Sequence, residues 1–358
     1  PDNYIHACYS DIPALFTERG LDTNTFPYLS ASNSIEYPPV IGLGNWLISF
    51  ITPDTNSYRW FFDINAVILI ALFLISALIV RKIRPEYGYL FPTAPAVIAS
   101  LFINWDLWAV VSAMLAIYYF DKRRYEISAI ALGVSIATKF FPVVLLLPIT
   151  IILYRSAAID QLRKYLTTTL LFWLVINLPI MATHFAGWWR FFKLNLERSA
   201  DFGSLWYGLG LLGVDIPFLN LIYLIITITS FITLAIYLLN LKQIPNLAQC
   251  ALFAVVIFTT FSKVYSPQYV LWLTPLAVIA LTKSVQQIYF WIWQVSEIIY
   301  HLAIWQYLAQ YSGASFGLPA GGYAIATLLR VVAITGFTYL LMRDLSAKST
   351  AQMSVISR

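Results

Sequence analysis

Charge is scarce in this chain: 11% of its 358 residues are Asp, Glu, Lys or Arg, and 60% are hydrophobic. Soluble domains carry about 25% charged residues, so lipid is needed to cover the apolar excess, in keeping with a mean hydropathy of +0.74. Cysteine is almost absent. Cys8 lies in a polar stretch and Cys250 in an apolar run far from it in the topology below, which excludes a disulfide framework. The sequence also lacks a GxxxxGK[ST] loop, an HExxH, a GxSxG and a DxD pair. Those absences argue against nucleotide and metal chemistry, and no cofactor, metal or nucleic-acid partner is expected. No internal repeat or low-complexity linker divides the chain.

What is present is a series of apolar runs. Crossing a ~30 Å hydrocarbon layer takes about 20 residues. About eleven spans are expected: Trp60–Val80, Tyr87–Ile103, Asp106–Phe120, Tyr125–Thr138, Phe141–Tyr154, Tyr165–Ala182, Ile216–Leu241, Asn246–Ser262, Gln268–Thr282, Gln286–Gln310 and Gly322–Met342. Short ones bounded by Pro or Asn are expected to be tilted, broken or cavity-lining. Basic clusters at Arg81–Arg84, Lys122–Arg124, Arg155, Arg163 and Lys164, Lys242, Lys283 and after Met342 occupy alternate loops, which places those loops in the cytoplasm. The expected organisation is an outer region 1–59, a transmembrane helical domain 60–342 with an outer loop 183–215, and a cytoplasmic tail 343–358. The apolar stretch Val40–Ile51 then lies in the interface or re-enters. A polar start without Met reads as a chain lacking upstream residues, with one more helix expected before Pro1.

Polar and aromatic residues collect on the outer side. TyrSerAspIlePro at Tyr9, GluTyrPro at Glu36, AsnTrpAsp at Asn104, ThrLysPhePhePro at Thr138, GluArgSerAlaAspPheGlySerLeuTrpTyr at Glu197 and LysValTyrSerProGlnTyr at Lys263 bring together acids, cations and rings. Acids can take a proton, cations can hold a phosphate, and rings can stack on a sugar or sit at headgroup depth; Trp188, Trp189 and Trp206 also fit an interfacial belt. Lys139 follows an apolar helix with no polar loop around it, so it either snorkels or pairs with a partner or ligand. Asp11 also suits the N-cap of IleProAlaLeuPhe. Glu297, His301 and Arg330 fall at similar depth, where a buried ion pair is expected.

In combination these motifs resemble glycosyltransferase family 87, the polyprenyl-phosphate-mannose-dependent mannosyltransferases of the GT-C superfamily, especially its actinobacterial members. The resemblance implies an all-α polytopic GT-C fold with an outer active site in the cell membrane. It implies transfer of a sugar, with mannose the expected one, from a polyprenyl-phosphate donor to a glycolipid or glycan acceptor with inversion. Asp11 matches the general base. Lys139, Arg198 and Lys263, with His184 and Arg330 behind them, are the candidates for the donor phosphate, and Tyr9, Glu36, Tyr265 and Gln268 for lining the substrate. A transporter or flippase of a lipid-linked or amphipathic substrate is the alternative, and it predicts polar residues at mid-membrane on broken helices.

Overall fold

A computed structural model gives residues 2–356, with side chains to Ala347. Pro1 of the expected outer region lies outside the described residues. So do Ser357 and Arg358 of the expected tail and the side chain of Lys348. Among the described residues the regular structure is helical, with no strand.

Four helices are long and apolar enough to cross a membrane: Ser57–Ile83, Ile159–Thr183, Leu219–Asn240 and the Ala320–Ala347 part of Ala320–Ile356. The chain is accordingly a helical membrane protein. The other expected spans are also helical but shorter, broken or more polar, as in Asp106–Asp121, Tyr125–Thr138, Leu247–Phe261 and Gln286–Tyr311. Tyr87–Ile103, read from the sequence as one span, is instead two short helices, Leu90–Thr93 and Pro95–Ser100. The cause is local. Pro95 disfavours the helical region for the residue before it, and Ala94 is extended at φ −68°, ψ 117°. Prolines also open the 3-10 turns at Phe141–Leu145 and Pro267–Tyr269, each of which runs on into an α-helix.

Small and hydroxylated residues let the helices approach closely. Ser128 Oγ donates to Ala116 O at 2.7 Å, Ser135 Oγ to Ala109 O at 2.7 Å and Thr169 Oγ1 to Ala129 O at 3.2 Å. These bonds tie Asp106–Asp121, Tyr125–Thr138 and Ile159–Thr183 together, and a Cβ on Gly133 would stand 2.7 Å from Thr169 O. In lipid, where apolar contact gives little net drive between helices, such polar and small-residue contacts carry much of the association. Trp105 Nε1 donates to Asn65 Oδ1 at 2.8 Å, fixing Asp106–Asp121 against Ser57–Ile83.

The outer region is helical as well. Asp11–Glu18 packs on Ser57–Ile83, with the Phe16 and Phe61 rings 4.3 Å apart. The Val40–Ile51 stretch forms the helix Pro39–Phe50, 12 residues long. At ~1.5 Å per residue it spans about 18 Å, short of a ~30 Å layer. Both cysteines are free, Cys8 exposed and Cys250 buried.

The charge-derived orientation has a direct consequence. In a Cys8→Ser background, Asp54→Cys should react with a membrane-impermeant maleimide in sealed cells and Lys122→Cys should not; the reverse pattern would invert the topology.

Candidate functional site

The end of the molecule that carries residues 1–59 is organised by two short irregular segments. Ser10 Oγ donates to Phe102 O at 2.6 Å, and the Asp11 N–H donates to Ile103 O at 2.8 Å. Ser10 is also the N-cap of Asp11–Glu18, accepting the Ile12 N–H at 3.2 Å. The capping role expected of Asp11 thus belongs to its neighbour. The Asp11 carboxylate is left to accept from the Tyr9 hydroxyl and from the Asn104 side chain. Burial pushes its pKa above the usual carboxylate range, against the lowering effects of Tyr9, the Lys139 charge and Asn104. Asn104 works twice, since its Oδ1 accepts the Asp106 N–H at 3.1 Å.

Lys139 ends the Tyr125–Thr138 helix in an extended conformation, and its ammonium is paired with the fully buried Asp106 carboxylate. Aromatic faces enclose it: Nζ lies 5.3 Å from the Tyr37 ring centre, 5.3 Å from Trp272 and 6.0 Å from Tyr269. Trp272 is itself stacked between Phe141 at 3.9 Å and Tyr269 at 3.8 Å. A cation so placed is balanced by a counter-ion and ring quadrupoles.

Asp11, Asn104, Lys139, Glu36, Arg198 and Gln268 line one cavity of about 380 Å³, with Arg19, Asp201 and Tyr269 also in its wall. Glu36 is clamped. Arg19 Nε donates to its Oε2 at 3.1 Å and Arg190 Nη2 to its Oε1 at 3.0 Å, joining the outer region to the helix Phe185–Glu197. Arg198 pairs with Asp201 at 3.4 Å, both about one-third exposed, so that pair is easily exchanged for another anion.

Behind the cavity lies Arg330, with no exposed surface. Its Nη1 is 3.5 Å from Glu297 Oε2, its Nη2 donates to Gly203 O at 2.8 Å and to Tyr265 O, and its guanidinium lies 3.7 Å and 3.3 Å from the Tyr265 and Tyr300 ring centres. Tyr265 and Trp293 complete the Glu297 carboxylate, donating to Oε1 at 3.2 and 2.9 Å. Gly203 must be glycine here. Its φ is +74°, and a Cβ would collide with Tyr265 O, the Tyr300 hydroxyl and Arg330. Its N–H donates to the Tyr323 hydroxyl at 2.7 Å.

The structure therefore separates the residues expected to act together. Lys139 and Arg198 share the cavity with Asp11, Glu36 and Gln268. Lys263 does not reach it: Nζ donates to Leu196 O at 3.0 Å and Asn220 Oδ1 at 2.8 Å, with burial and Arg198 lowering its pKa. His184 caps Ile159–Thr183, with Nδ1 2.9 Å from Thr183 Oγ1, and stacks near Phe26 rather than facing the cavity. Arg330 and Tyr265 stand behind the wall. Tyr9 touches Asp11 from the opposite side of the Tyr9–Asp11 segment, where its ring lines a different chamber. Trp188 and Trp206 are buried at 6% and bond to Asn177 Oδ1 and Phe261 O, whereas Trp189 is 39% exposed, so the belt reading fits Trp189 alone. Asp106, Asn104, Tyr37 and Tyr269 were not singled out as site residues. The signals were the AsnTrpAsp and GluTyrPro motifs and an unexplained intramembrane lysine that needed an acid.

Among the described residues no group of three His, Cys, Asp or Glu is placed to hold a metal ion. No protein-family model matches the sequence. Over 193 residues, 51% of this chain, it is 23% identical to GPI mannosyltransferase 1 of Saccharomyces cerevisiae. That match spans 44% of the relative's length, less than half of it. The crystal structure of ArnT from Cupriavidus metallidurans bound to undecaprenyl phosphate aligns over 94% of this chain and 72% of its own, at 14% identity and a TM-score of 0.46.

The Arg330 cluster predicts a large and asymmetric effect on stability. Arg330→Met leaves the Glu297 charge buried and should cost about 3–5 kcal/mol. Adding Glu297→Gln should recover most of the lost thermal stability in detergent. Equal melting temperatures for the single and double variants would show that Glu297 does not depend on Arg330.

Proposed function

We propose that this chain is a GT-C-type glycosyltransferase that moves a hexose, with mannose the favoured one, from a polyprenyl-phosphate donor to a glycolipid or other cell-envelope acceptor, with inversion, at the outer face. The observation that carries the reading is the shared cavity. One carboxylate without a cation of its own, Asp11, meets two cations, Lys139 and Arg198, in a space large enough for a sugar phosphate. The 193-residue similarity to a mannosyltransferase supports the same class. Asn104, Lys139, Arg198 and Gln268 lie in loops, at a helix end or in a short 3-10 turn rather than in the unwound middle of a span, which favours an enzyme over a transporter.

In this reading the acceptor oxygen attacks the anomeric carbon as the bond from that carbon to the phosphate oxygen breaks. Asp11 takes the hydroxyl proton, and the electron pair of the broken bond stays on the leaving phosphate. Charge grows on the phosphate during the step, so cations fixed in advance favour the transition state over the ground state. Lys139 is held by Asp106 and the rings, and Arg198 can exchange Asp201 for the phosphate. Lys263, Arg330, Tyr265 and His184 would support the walls and not touch the donor.

Asp11→Asn preserves the helix start, because Ser10 is the cap, and should lower transfer to near background with donor affinity and thermal stability unchanged. Retained transfer would remove the base role. Since burial raises the Asp11 pKa, and the base works ionised, the acid limb of the rate should lie above the ~3.9 of a free aspartate. Tyr9→Phe removes a hydrogen bond to the carboxylate and should move that limb to still higher pH; an unmoved limb would assign it to another group.

The cation role is best read in an Asp106→Asn background, where loss of the lysine strands no buried acid. There Lys139→Ala should reduce turnover by roughly a hundredfold, about 3 kcal/mol. Turnover within a factor of two of the Asp106→Asn parent would exclude Lys139 from the donor phosphate.

A further inference from the structure

The Tyr9–Asp11 segment and the Phe102–Asn104 segment, joined by the hydrogen bonds of Ser10 and Asp11, form a thin partition. On one side Asp11 and Asn104 face the donor cavity. On the other, Tyr9, Ser10, Phe102, Ile103, His301 and Trp305 line a second chamber of about 220 Å³. That volume is below the ~300–1,000 Å³ of clefts that take drug-sized ligands, and suits one small ring.

Two features make this chamber more than a packing gap. His301 is 6% exposed, and its Nε2 accepts from Trp305 Nε1 at 3.1 Å. That hydrogen bond assigns a neutral ring with its proton on Nδ1. Nδ1 is buried and has no hydrogen-bond partner among the described residues. A buried donor without a partner is costly unless a ligand or water supplies the acceptor. The second feature is the aromatic wall: Tyr4 and Tyr9 stack at 5.4 Å, and both face Trp305, at 6.2 and 5.6 Å. Aromatic surface beside a lone buried N–H donor matches a pyranose, which has C–H faces and hydroxyl oxygens. Tyr9 connects the two sides, with its ring in the chamber and its hydroxyl on the Asp11 carboxylate.

We infer that this second chamber binds the terminal sugar of the acceptor, with His301 Nδ1–H donating to one of its hydroxyls and Trp305 and Tyr9 covering its face. The identity of the occupant as acceptor rests on the glycosyltransferase reading above; the sugar site itself does not. A hydroxyl that displaces the Tyr9 hydroxyl from Asp11 arrives at the base from the side opposite the donor.

The test uses the full chain in nanodiscs and radiolabelled octyl α-mannoside, with binding measured in the absence of any donor. His301→Phe keeps a ring and loses the donor, and should weaken binding about tenfold. His301→Asn, whose amide N–H takes the place of Nδ1–H, should bind within about threefold of the parent chain. Lys139→Ala in the Asp106→Asn background should leave binding unchanged. Equal binding by the parent chain and His301→Phe overturns the subsite, as does loss of binding in His301→Asn to the level of His301→Phe. With a polyprenyl-phosphate mannose added, transfer to the same glycoside should show a raised KM and little change in kcat for His301→Phe. If binding follows the predicted order and no transfer occurs, the sugar site stands and the proposed reaction fails.

Discussion

Arg330 has no exposed surface and lies between the rings of Tyr265 and Tyr300, where water cannot solvate its charge. Protein groups must do that instead, and they come from distant parts of the chain: Glu297 from the Gln286–Tyr311 helix, Gly203 O from one outer loop and Tyr265 O from another. Satisfying one guanidinium thus fixes both loops that form a side of the Asp11 cavity. Arg198 and Asp201 sit just before Gly203, and Gln268 and Tyr269 just after Tyr265. The positions of these cavity residues follow from the need to hydrate a buried cation with backbone carbonyls.

A second constraint is charge balance at the cavity surface and just behind it. Asp106 has Lys139, Glu36 has Arg19 and Arg190, and Asp201 has Arg198. Asp11 is held by neutral donors, Tyr9 and Asn104, and feels Lys139 only through space. Of these four acids Asp11 is the one with no cation to itself. The others pair with cations that line the cavity or stand beside it.

The membrane class and most helix positions were legible in the sequence, because apolar runs report directly on span. The break in the Tyr87–Ile103 run was less so: Pro92 and Pro95 announce it, yet hydropathy averages over it. In the site, Asp11 stood out by motif, and the Glu297–Arg330 pair by the cost of an intramembrane charge. Partner choice was not legible. Lys139 finds Asp106, 33 residues upstream, and Lys263 turns to Leu196 and Asn220. Such pairings depend on helix rotation and loop path, which a one-dimensional pattern does not contain. Ser10 against Asp11 as the cap was a one-residue difference, of the size by which helix starts ordinarily shift.

The broken Leu90–Thr93 and Pro95–Ser100 pair ends early enough to leave the Phe102 and Ile103 carbonyls outside any helix. Those carbonyls receive Ser10 and Asp11. Every amino acid offers the same carbonyl, so residues 102 and 103 can vary in side chain without shifting Asp11 along the chain axis. The alignment of Asp11 is thereby insulated from side-chain changes at the positions that hold it. A one-residue insertion or deletion between Pro95 and Asn104 has no such protection, because it would exchange which carbonyl meets which donor.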